Sequence, residues 1–415
     1  MPIPDDIDEP WKLMVADSLL RSLNHLGNVA ELLGLKHYMD IMWVFTFAEQ
    51  AAVISDDKVK VTESMFHEVP VIVYEPMQKK TEELRRAIIY IHGGGWCLGS
   101  AKMGPYDLLS RRTAAELNAV VVSVEYRLAP EHHFPTPFND AYHAVKHFLQ
   151  EQVLAQYSVD ATRIAVSGDS AGGNLAAAVA QQIQEDRDIK LDLKAQALLY
   201  PVLQALDMKT PSYQQNEFMP ILPKIMMIRF WSEYFTSDKT LYYAMLENRH
   251  NSLKSIQLMK FANWSIYLPE NYRQKYTYSD PYFDSKDLSE SISDTRASPL
   301  LVDDDKLRVL PKAYIMTCEY DVLRDDGVMY VTRLRRAGVQ VHHDHYVIPA
   351  NTPPCSVEVP RIPAWNYGQW SFHPQPRWIP QGPLDGAAGK NKDYLPYTPE
   401  VCPSHMDKRN DVLLG

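Results

Sequence analysis

The amino-acid sequence predicts an α/β fold, in which a mostly parallel central sheet is flanked by helices and covered by a helical cap. Apolar segments rich in β-branched residues, among them 87–91, 119–124 and 195–200, alternate with segments of helical character. This alternation is typical of a parallel sheet that is buried on both faces. Two predicted strands run directly into glycine-rich motifs, and hydrophobic residues make up 46% of the 415 residues, which is enough for one large core.

Composition excludes several classes of protein. The formal net charge is −10 and there is no long basic run, so we expect no nucleic-acid partner. The cysteines, Cys97, Cys318, Cys355 and Cys402, show no C-x-x-C spacing, and the sequence predicts neither a metal site nor a cofactor. Residues 1–9 are acidic and interrupted by proline, so we expect no signal peptide and no membrane anchor. No later run is apolar enough to span a bilayer.

The first helix is predicted over 11–33 by apolar residues at helical spacing: Leu19, Leu23, Leu26, Ala30 and Leu33. Because this helix lies outside the predicted sheet, it packs on the core, forms part of a cap or lies on a membrane surface. Valines then alternate over 59–61 and 69–73, which predicts an antiparallel pair of strands.

The first glycine-rich motif is His92-Gly93-Gly94-Gly95-Trp96, which follows the predicted strand 87–91. Three successive glycines leave backbone N–H groups free to point at an anion, as an acyl-transfer enzyme requires for its tetrahedral oxyanion. A flexible loop and a phosphate-binding turn are the alternatives. A phosphate-binding loop would end in Lys-Ser or Lys-Thr, which this motif lacks.

The second motif is a Gly-x-Ser-x-Gly centred on Ser170, between the apolar run 163–166 and the alanine-rich segment 175–182. A strand before the motif and a helix after it force a sharp turn that exposes the serine at its tip. Gly168 and Gly172 allow the strand and the helix to pass close together. We therefore predict Ser170 as a nucleophile, against the alternative of a glycine-rich turn without chemistry.

Downstream of Ser170, the strand pattern is absent from 208–297 and then returns. The interruption is rich in aromatic residues and methionine, and predicts an inserted cap whose apolar side chains line an acyl or aryl pocket or form plain core. The strand predicted over 313–318 is followed by Asp321, which is where the acid of a serine triad belongs. Asp325 or Asp326 is predicted to cap the next helix. A last strand is predicted over 339–346.

Four motifs together resemble the hormone-sensitive-lipase-like branch of the α/β-hydrolases, the GDXG lipolytic enzymes. They read HGGGW, YRLAP, GDSAGG and YDVLRDDG, and begin at His92, Tyr126, Gly168 and Tyr320. The resemblance implies an α/β-hydrolase domain over 1–346, with cap elements in 1–50 and 208–297. It also implies hydrolysis of esters and arylacetamides, and a link to lipid metabolism.

The resemblance assigns roles to individual residues. It implies Ser170 as the nucleophile and Asp321 as the triad acid. It implies an oxyanion hole formed by three backbone amides: Gly93, Gly94 and Ala171.

Family features outside the triad follow in the same way. The resemblance implies a disulfide between Cys97 and Cys318, and N-glycosylation at Asn263, which begins an Asn-Trp-Ser match. It implies a location on the lumenal side of the endoplasmic reticulum. The sequence itself starts where the family's anchor would end, so the literal expectation is a cytosolic chain that contacts a membrane only through its cap.

The triad histidine is missing from the expected register, where Asn351 stands instead. Residues 347–415 are proline-rich and without periodicity, so we predict a disordered tail in place of the last strand and helix of the fold. His345 lies on a strand before that register, and His373 or His405 would require the tail to fold back.

The remaining polar residues of interest are given structural roles. His132 and His133 come too early in the chain to follow the triad acid. Arg127 and Asp140 are predicted to form an internal ion pair. The cluster around His343 is expected on an exposed edge strand rather than in a metal site.

The sequence thus predicts a serine-dependent ester and amide hydrolase that is impaired by the loss of its histidine. The alternative is an inactive isoform that binds acyl or aryl ligands or a protein partner.

Overall fold

A single eight-stranded sheet organises the protein, for which we analysed a computed structural model that describes residues 10–77, 84–284 and 290–346. The strands, including a separate two-stranded pair (β7 and β8), are β1 Val59–Phe66, β2 Val69–Pro76, β3 Arg85–Ile91, β4 Ala119–Val124, β5 Val159–Asp169, β6 Ala195–Leu199, β7 Asn251–Ser252, β8 Phe283–Asp284, β9 Lys312–Cys318 and β10 Val341–Tyr346. The sheet order is β1-β2-β4-β3-β5-β6-β9-β10.

Strand direction follows the predicted pattern. The valine-rich strands β1 and β2 form the predicted antiparallel pair, and β2 also pairs antiparallel with β4. Every other pairing in this sheet is parallel. All six residues of β4 and all five of β6 are buried, as expected for strands covered on both faces.

Helices cover both faces of the sheet. They are α1 Pro10–Leu32, α2 Tyr38–Ala48, α3 Gly104–Leu117, α4 Thr136–Phe148, α5 Glu151–Gln156, α6 Ala171–Glu185, α7 Pro211–Gln215, α8 Lys224–Phe235, α9 Lys239–Leu246, α10 Met259–Ala262, α11 Trp264–Tyr267, α12 Glu270–Arg273, α13 Asp304–Leu307 and α14 Arg324–Arg336. The helices α4 and α5 are separate, because Gln150 adopts an extended backbone between them.

The cap consists of α1, α2 and the short helices α7 to α12, and it rests on the glycine-rich loop that follows β3. Trp96 in that loop stacks on Tyr234 of α8, with ring centroids 4.3 Å apart. A side chain at Gly95 would meet the ring of Phe230 at 2.4 Å, so this glycine is required for α8 to pack here. The cap therefore closes over the carboxyl ends of the strands.

None of the helices in the described ranges combines the length and apolar character needed to cross a bilayer. The predictions for residues 1–9 and for the tail 347–415, including Asn351, His373 and His405, concern segments outside the described residues. The prediction that the tail replaces the last strand and helix of the fold also concerns residues outside the described ranges.

Candidate active site

Ser170 lies at the turn between the end of β5 and the start of α6. Its backbone has φ 52° and ψ −118°, a left-handed conformation that is costly for a residue with a side chain. The turn is held by the Ser170 N–H, which donates to the carbonyl of Leu199 at 2.9 Å. The residue is half-buried, and it opens onto a cavity rather than into the core.

Two glycines make this turn possible. A side chain at Gly172 would meet the carbonyl oxygen of Ile91 at 2.0 Å, and one at Gly168 would meet the carbonyl of Gly172 at 2.3 Å. The first turn of α6 therefore passes against the end of β3, where the glycine-rich loop begins. The predicted close approach of strand and helix is present at both positions.

The backbone amides of the glycine-rich loop are used in two ways: some lie at the cavity, and one is hydrogen-bonded within the protein. The Gly93 N–H donates to Asp169 Oδ1 at 3.0 Å and to the Tyr106 hydroxyl at 3.1 Å. Gly94 and Gly95 line the cavity beside Ser170. In the described ranges, the N–H groups of Gly94, Gly95 and Ala171 have no acceptor in the protein.

Asp169 joins this loop to the serine turn. Its carboxylate accepts hydrogen bonds from Tyr90 at 2.8 Å and Tyr106 at 3.1 Å, besides that of Gly93. Burial raises the pKa of Asp169 to about 6, although these hydrogen bonds oppose the increase. Sequence reasoning did not identify this network, and its only local signal is an acid directly before the serine.

The cavity that contains Ser170 has a volume of about 170 Å³ and is mainly apolar. The cap provides much of the apolar part of its wall, including Leu20, Met42, Ile221, Met226, Met227 and Phe230. Other aromatic residues of α8, the helix that carries Phe230, are buried in the core, for example Trp231. The cap residues thus divide between the two predicted roles, pocket lining and core.

Asp321 follows β9, which is two positions along the sheet from β5. At a spacing of about 4.8 Å between strands, the two carboxyl ends are roughly 10 Å apart, which leaves room for one imidazole. The side chain of Asp321 is buried, and its Oδ1 accepts a hydrogen bond from the Leu323 N–H at 2.9 Å. This is a suitable place for an acid that orients a base.

Comparison with known proteins agrees with this fold. Residues 88–271 and 240–347 match the α/β hydrolase fold family. The chain is 54% identical to arylacetamide deacetylase of Oryctolagus cuniculus over 347 residues, which cover 83% of this chain and 87% of the relative. It is 46% identical to neutral cholesterol ester hydrolase 1 of Bos taurus over 354 residues, with 83% and 86% covered.

The chain belongs to the arylacetamide deacetylase branch of the α/β-hydrolases. Solved structures of esterases share the fold. The thermostable esterase of Pseudomonas putida has a TM-score of 0.54 and 27% identity, covering 79% of this chain and 86% of that one. A bacterial heroin esterase has a TM-score of 0.56 and 25% identity, covering 81% and 87%. The family is one of serine ester hydrolases.

No histidine in the described ranges lines the Ser170 cavity of this family member. His345, on the edge strand β10, contacts Thr317 Oγ1 at 2.9 Å and Glu319 Oε2 at 3.0 Å. His133 contacts the Glu233 carbonyl at 2.7 Å. Both imidazoles are thus committed to contacts outside the site. No group of three metal-ligating side chains occurs in 10–77, 84–284 or 290–346.

The disulfide implied by the resemblance is wrong for this structure, because Cys97 and Cys318 are both free and buried. The two thiols belong to hydrophobic clusters on opposite faces of the sheet. The strands that lead to them, β3 and β9, are separated by β5 and β6.

The predicted capping role of Asp325 and Asp326 is also wrong. They lie inside the first turn of α14, whose N-cap residue makes no capping bond. Asp325 instead accepts from the Ser212 N–H at 2.6 Å, and Asp326 from the Leu203 N–H at 2.9 Å. Burial raises the pKa of Asp326 to about 7. These carboxyls fasten the segment after β6 and the start of the cap to α14.

Two further predictions concern the pairing of Arg127 with Asp140 and the glycosylation match at Asn263. The predicted pairing is confirmed, since Arg127 Nη2 and Asp140 Oδ1 are 2.7 Å apart, but the Arg127 side chain is exposed and the pair is therefore not internal. Asn263 is half-buried, and its Oδ1 accepts from the Ser265 N–H at 3.0 Å to cap α11. The amide oxygen of Asn263 is therefore used in the fold.

Proposed function

We propose that this chain hydrolyses carboxylic esters and arylacetamides at Ser170 through an acyl-enzyme. The observation that carries the proposal is the position of Ser170 beside the amides of Gly94, Gly95 and Ala171, in an apolar cavity. The names of its relatives, arylacetamide deacetylase and neutral cholesterol ester hydrolase, support the same two substrate classes.

The amides would stabilise the charge that develops when Ser170 Oγ attacks the carbonyl carbon. The N–H of Ala171 is also the first of α6, so the partial positive charge of the helix end adds to the effect. One such donor is typically worth about 10²–10³ in turnover rate. In this arrangement Gly95 takes the role that the resemblance gave to Gly93, because the Gly93 N–H already donates to Asp169.

Proton transfer requires a base between Ser170 and Asp321. The acid would hold an imidazole in the correct orientation, and the imidazole would take the serine proton. The family register for that imidazole holds Asn351 here. We therefore propose that hydrolysis is impaired, by about 10⁶-fold relative to an intact triad.

The alternative function is that of a pseudo-hydrolase, which binds acyl or aryl ligands, or a partner, without turning them over. It is favoured by the absence of histidine from the cavity lining within the described ranges. An acyl pocket can persist without its base, because its walls come from the cap and the glycine-rich loop rather than from the triad.

One experiment separates the two functions. Hydrolysis of p-nitrophenyl acetate is measured for the full chain and for Ser170→Ala, and binding of its product p-nitrophenol is measured for both by calorimetry. A slow turnover that disappears in Ser170→Ala supports the impaired hydrolase. Equal turnover in both proteins, with ligand binding retained, supports the pseudo-hydrolase. Turnover at ordinary esterase rates contradicts the proposed impairment.

We also propose, from the family resemblance, a location in the lumen of the endoplasmic reticulum, with glycan on Asn263. The free thiols of Cys97 and Cys318 favour instead a reducing compartment such as the cytosol. Treatment of the natural protein with a glycosidase decides between the two locations. A mass decrease that Asn263→Gln abolishes supports the lumen, and an unchanged mass supports the cytosol.

A further inference from the structure

The helix α1 is apolar on two sides. Its inner side packs on the core through residues such as Leu13 and Leu20. At 100° per residue, seven further apolar side chains fall within an outer arc of about 140°. They are Trp11, Met14, Val15, Leu19, Leu26, Val29 and Leu32, and each is more than half exposed. A helix that is apolar on both sides normally has a partner on each.

The outer surface continues beyond α1. Leu33 and Leu35 in the following turn are exposed, as are Trp43, Val44 and Phe47 on the outer side of α2. We call these five residues and the seven of α1 the apolar face. With roughly 100 Å² exposed per side chain, its area is on the order of 1,000 Å². This exceeds the 300–600 Å² of the largest patch on a typical monomer.

The apolar face belongs to the same two helices that help to wall the active-site cavity. Leu20 of α1 and Met42 of α2 line the cavity that contains Ser170, while neighbouring residues of the same helices form the apolar face. One layer of helices thus separates the cavity from this surface. A substrate that passed between these helices from an apolar phase at the face would reach Ser170 without crossing bulk water.

The charges of α1 and of the whole chain indicate what kind of surface the apolar face would contact. Arg21 pairs with Asp17 at 2.6 Å, and Glu31 pairs with Arg229 at 2.7 Å, so these charges of α1 are neutralised within the protein. The formal net charge of −10 opposes an anionic surface. The two tryptophans, Trp11 and Trp43, suit the boundary between apolar and polar layers of lipid.

We propose that the apolar face rests on a neutral or zwitterionic lipid surface and takes ester substrates from it into the Ser170 cavity. This inference rests on the proposed function, because it concerns how that site obtains its substrate. The attraction is apolar, so binding depends little on ionic strength and is not increased by anionic lipid.

The test measures binding of the full chain to phosphatidylcholine vesicles by flotation. The face variant carries Leu26→Glu, Leu32→Glu and Phe47→Glu. We expect the full chain to float with the vesicles, and the face variant to bind at least about tenfold more weakly. Phosphatidylserine in the vesicles should not increase binding. Addition of 0.5 M salt should not abolish it.

A matched control carries three glutamates on exposed apolar residues elsewhere: Met65→Glu, Ile256→Glu and Val309→Glu. We expect it to bind as the unchanged chain does, and circular dichroism to show both variants folded. Ser170→Ala should float normally, so loss of hydrolysis and loss of lipid binding are separate results.

Three results would overturn the proposal. The first is a full chain that does not float with the vesicles. The second is an equal loss of binding in the face variant and the control. The third is a dimer in sedimentation velocity that the face variant dissociates, without any vesicle binding, since the occupant would then be a second copy of the chain.

Discussion

The substitution Gly172→Ala tests whether the serine turn depends on the close approach of α6 to the end of β3. The new Cβ would lie 2.0 Å from the carbonyl oxygen of Ile91 and 2.5 Å from that of His92. Ordinary contacts begin at 3.4 Å, so helix and strand must part by about 1.4 Å. Both obstacles are backbone, which cannot turn aside as a flexible side chain would.

Overpacking of this kind costs about 1–3 kcal/mol when side chains can adjust, so we expect at least about 3 kcal/mol here. For a domain of this size, that corresponds to a decrease of roughly 5–10 °C in melting temperature. The loss is measured by urea unfolding, followed by tryptophan fluorescence and circular dichroism.

Gly104→Ala is the matched control. Gly104 is the first residue of α3, and a Cβ there would meet its nearest neighbour, the Glu49 carbonyl, at an ordinary 3.5 Å. We expect a change in the free energy of unfolding of less than about 1 kcal/mol. If Gly172→Ala is no more destabilising than Gly104→Ala, the serine turn is not packed as described.

Two further predictions concern buried groups. The pKa of Asp169 is raised to about 6, so the native state gains a proton relative to the unfolded state, and stability decreases as pH rises from about 4 to above 6. Asp169→Asn removes this titration. Between pH 4 and pH 8, the free energy of unfolding of the unchanged chain should therefore fall by about 2–3 kcal/mol relative to that of the variant, as measured by urea unfolding. A parallel pH dependence of the two proteins would contradict the assignment. Both Cys97 and Cys318 should be alkylated by iodoacetamide after unfolding without reductant, as read by peptide mass, whereas a cross-linked peptide would show the disulfide after all.

Sequence patterns predicted the sheet and the sharp turn at Ser170 because both are local signals. A parallel strand buried on two faces is apolar along its whole length, as in β4, and this pattern needs no knowledge of its neighbours. The turn at Ser170 is likewise marked by its own strand, glycines and helix. The strand bounds differed only at the ends, where β5 begins at Val159 rather than near 163.

Sequence patterns did not predict hydrogen bonds between residues that are far apart in the sequence. Asp325 and Asp326 precede helical residues, which suggested capping, yet their carboxyls bond backbone more than 100 residues earlier. The Gly93 amide, which the resemblance gave to the oxyanion hole, donates here to a carboxylate that the sequence pattern did not indicate. Its partner Asp169 is 76 residues away in the sequence. Such pairings are fixed by the folded sheet and not by spacing along the chain.

The Asp169 network also explains how the acyl-binding half of the site holds its shape without a triad base. Asp169 is the residue before Ser170, and its carboxyl holds Gly93, the first glycine of the loop, through a direct hydrogen bond. Tyr106 bonds the same carboxyl and the same amide, so the serine turn and the loop are tied at two points. None of these contacts involves an imidazole. The amides of Gly94 and Gly95 should therefore keep their positions relative to Ser170 whether or not a base is present, and ligand binding should survive substitutions that abolish turnover.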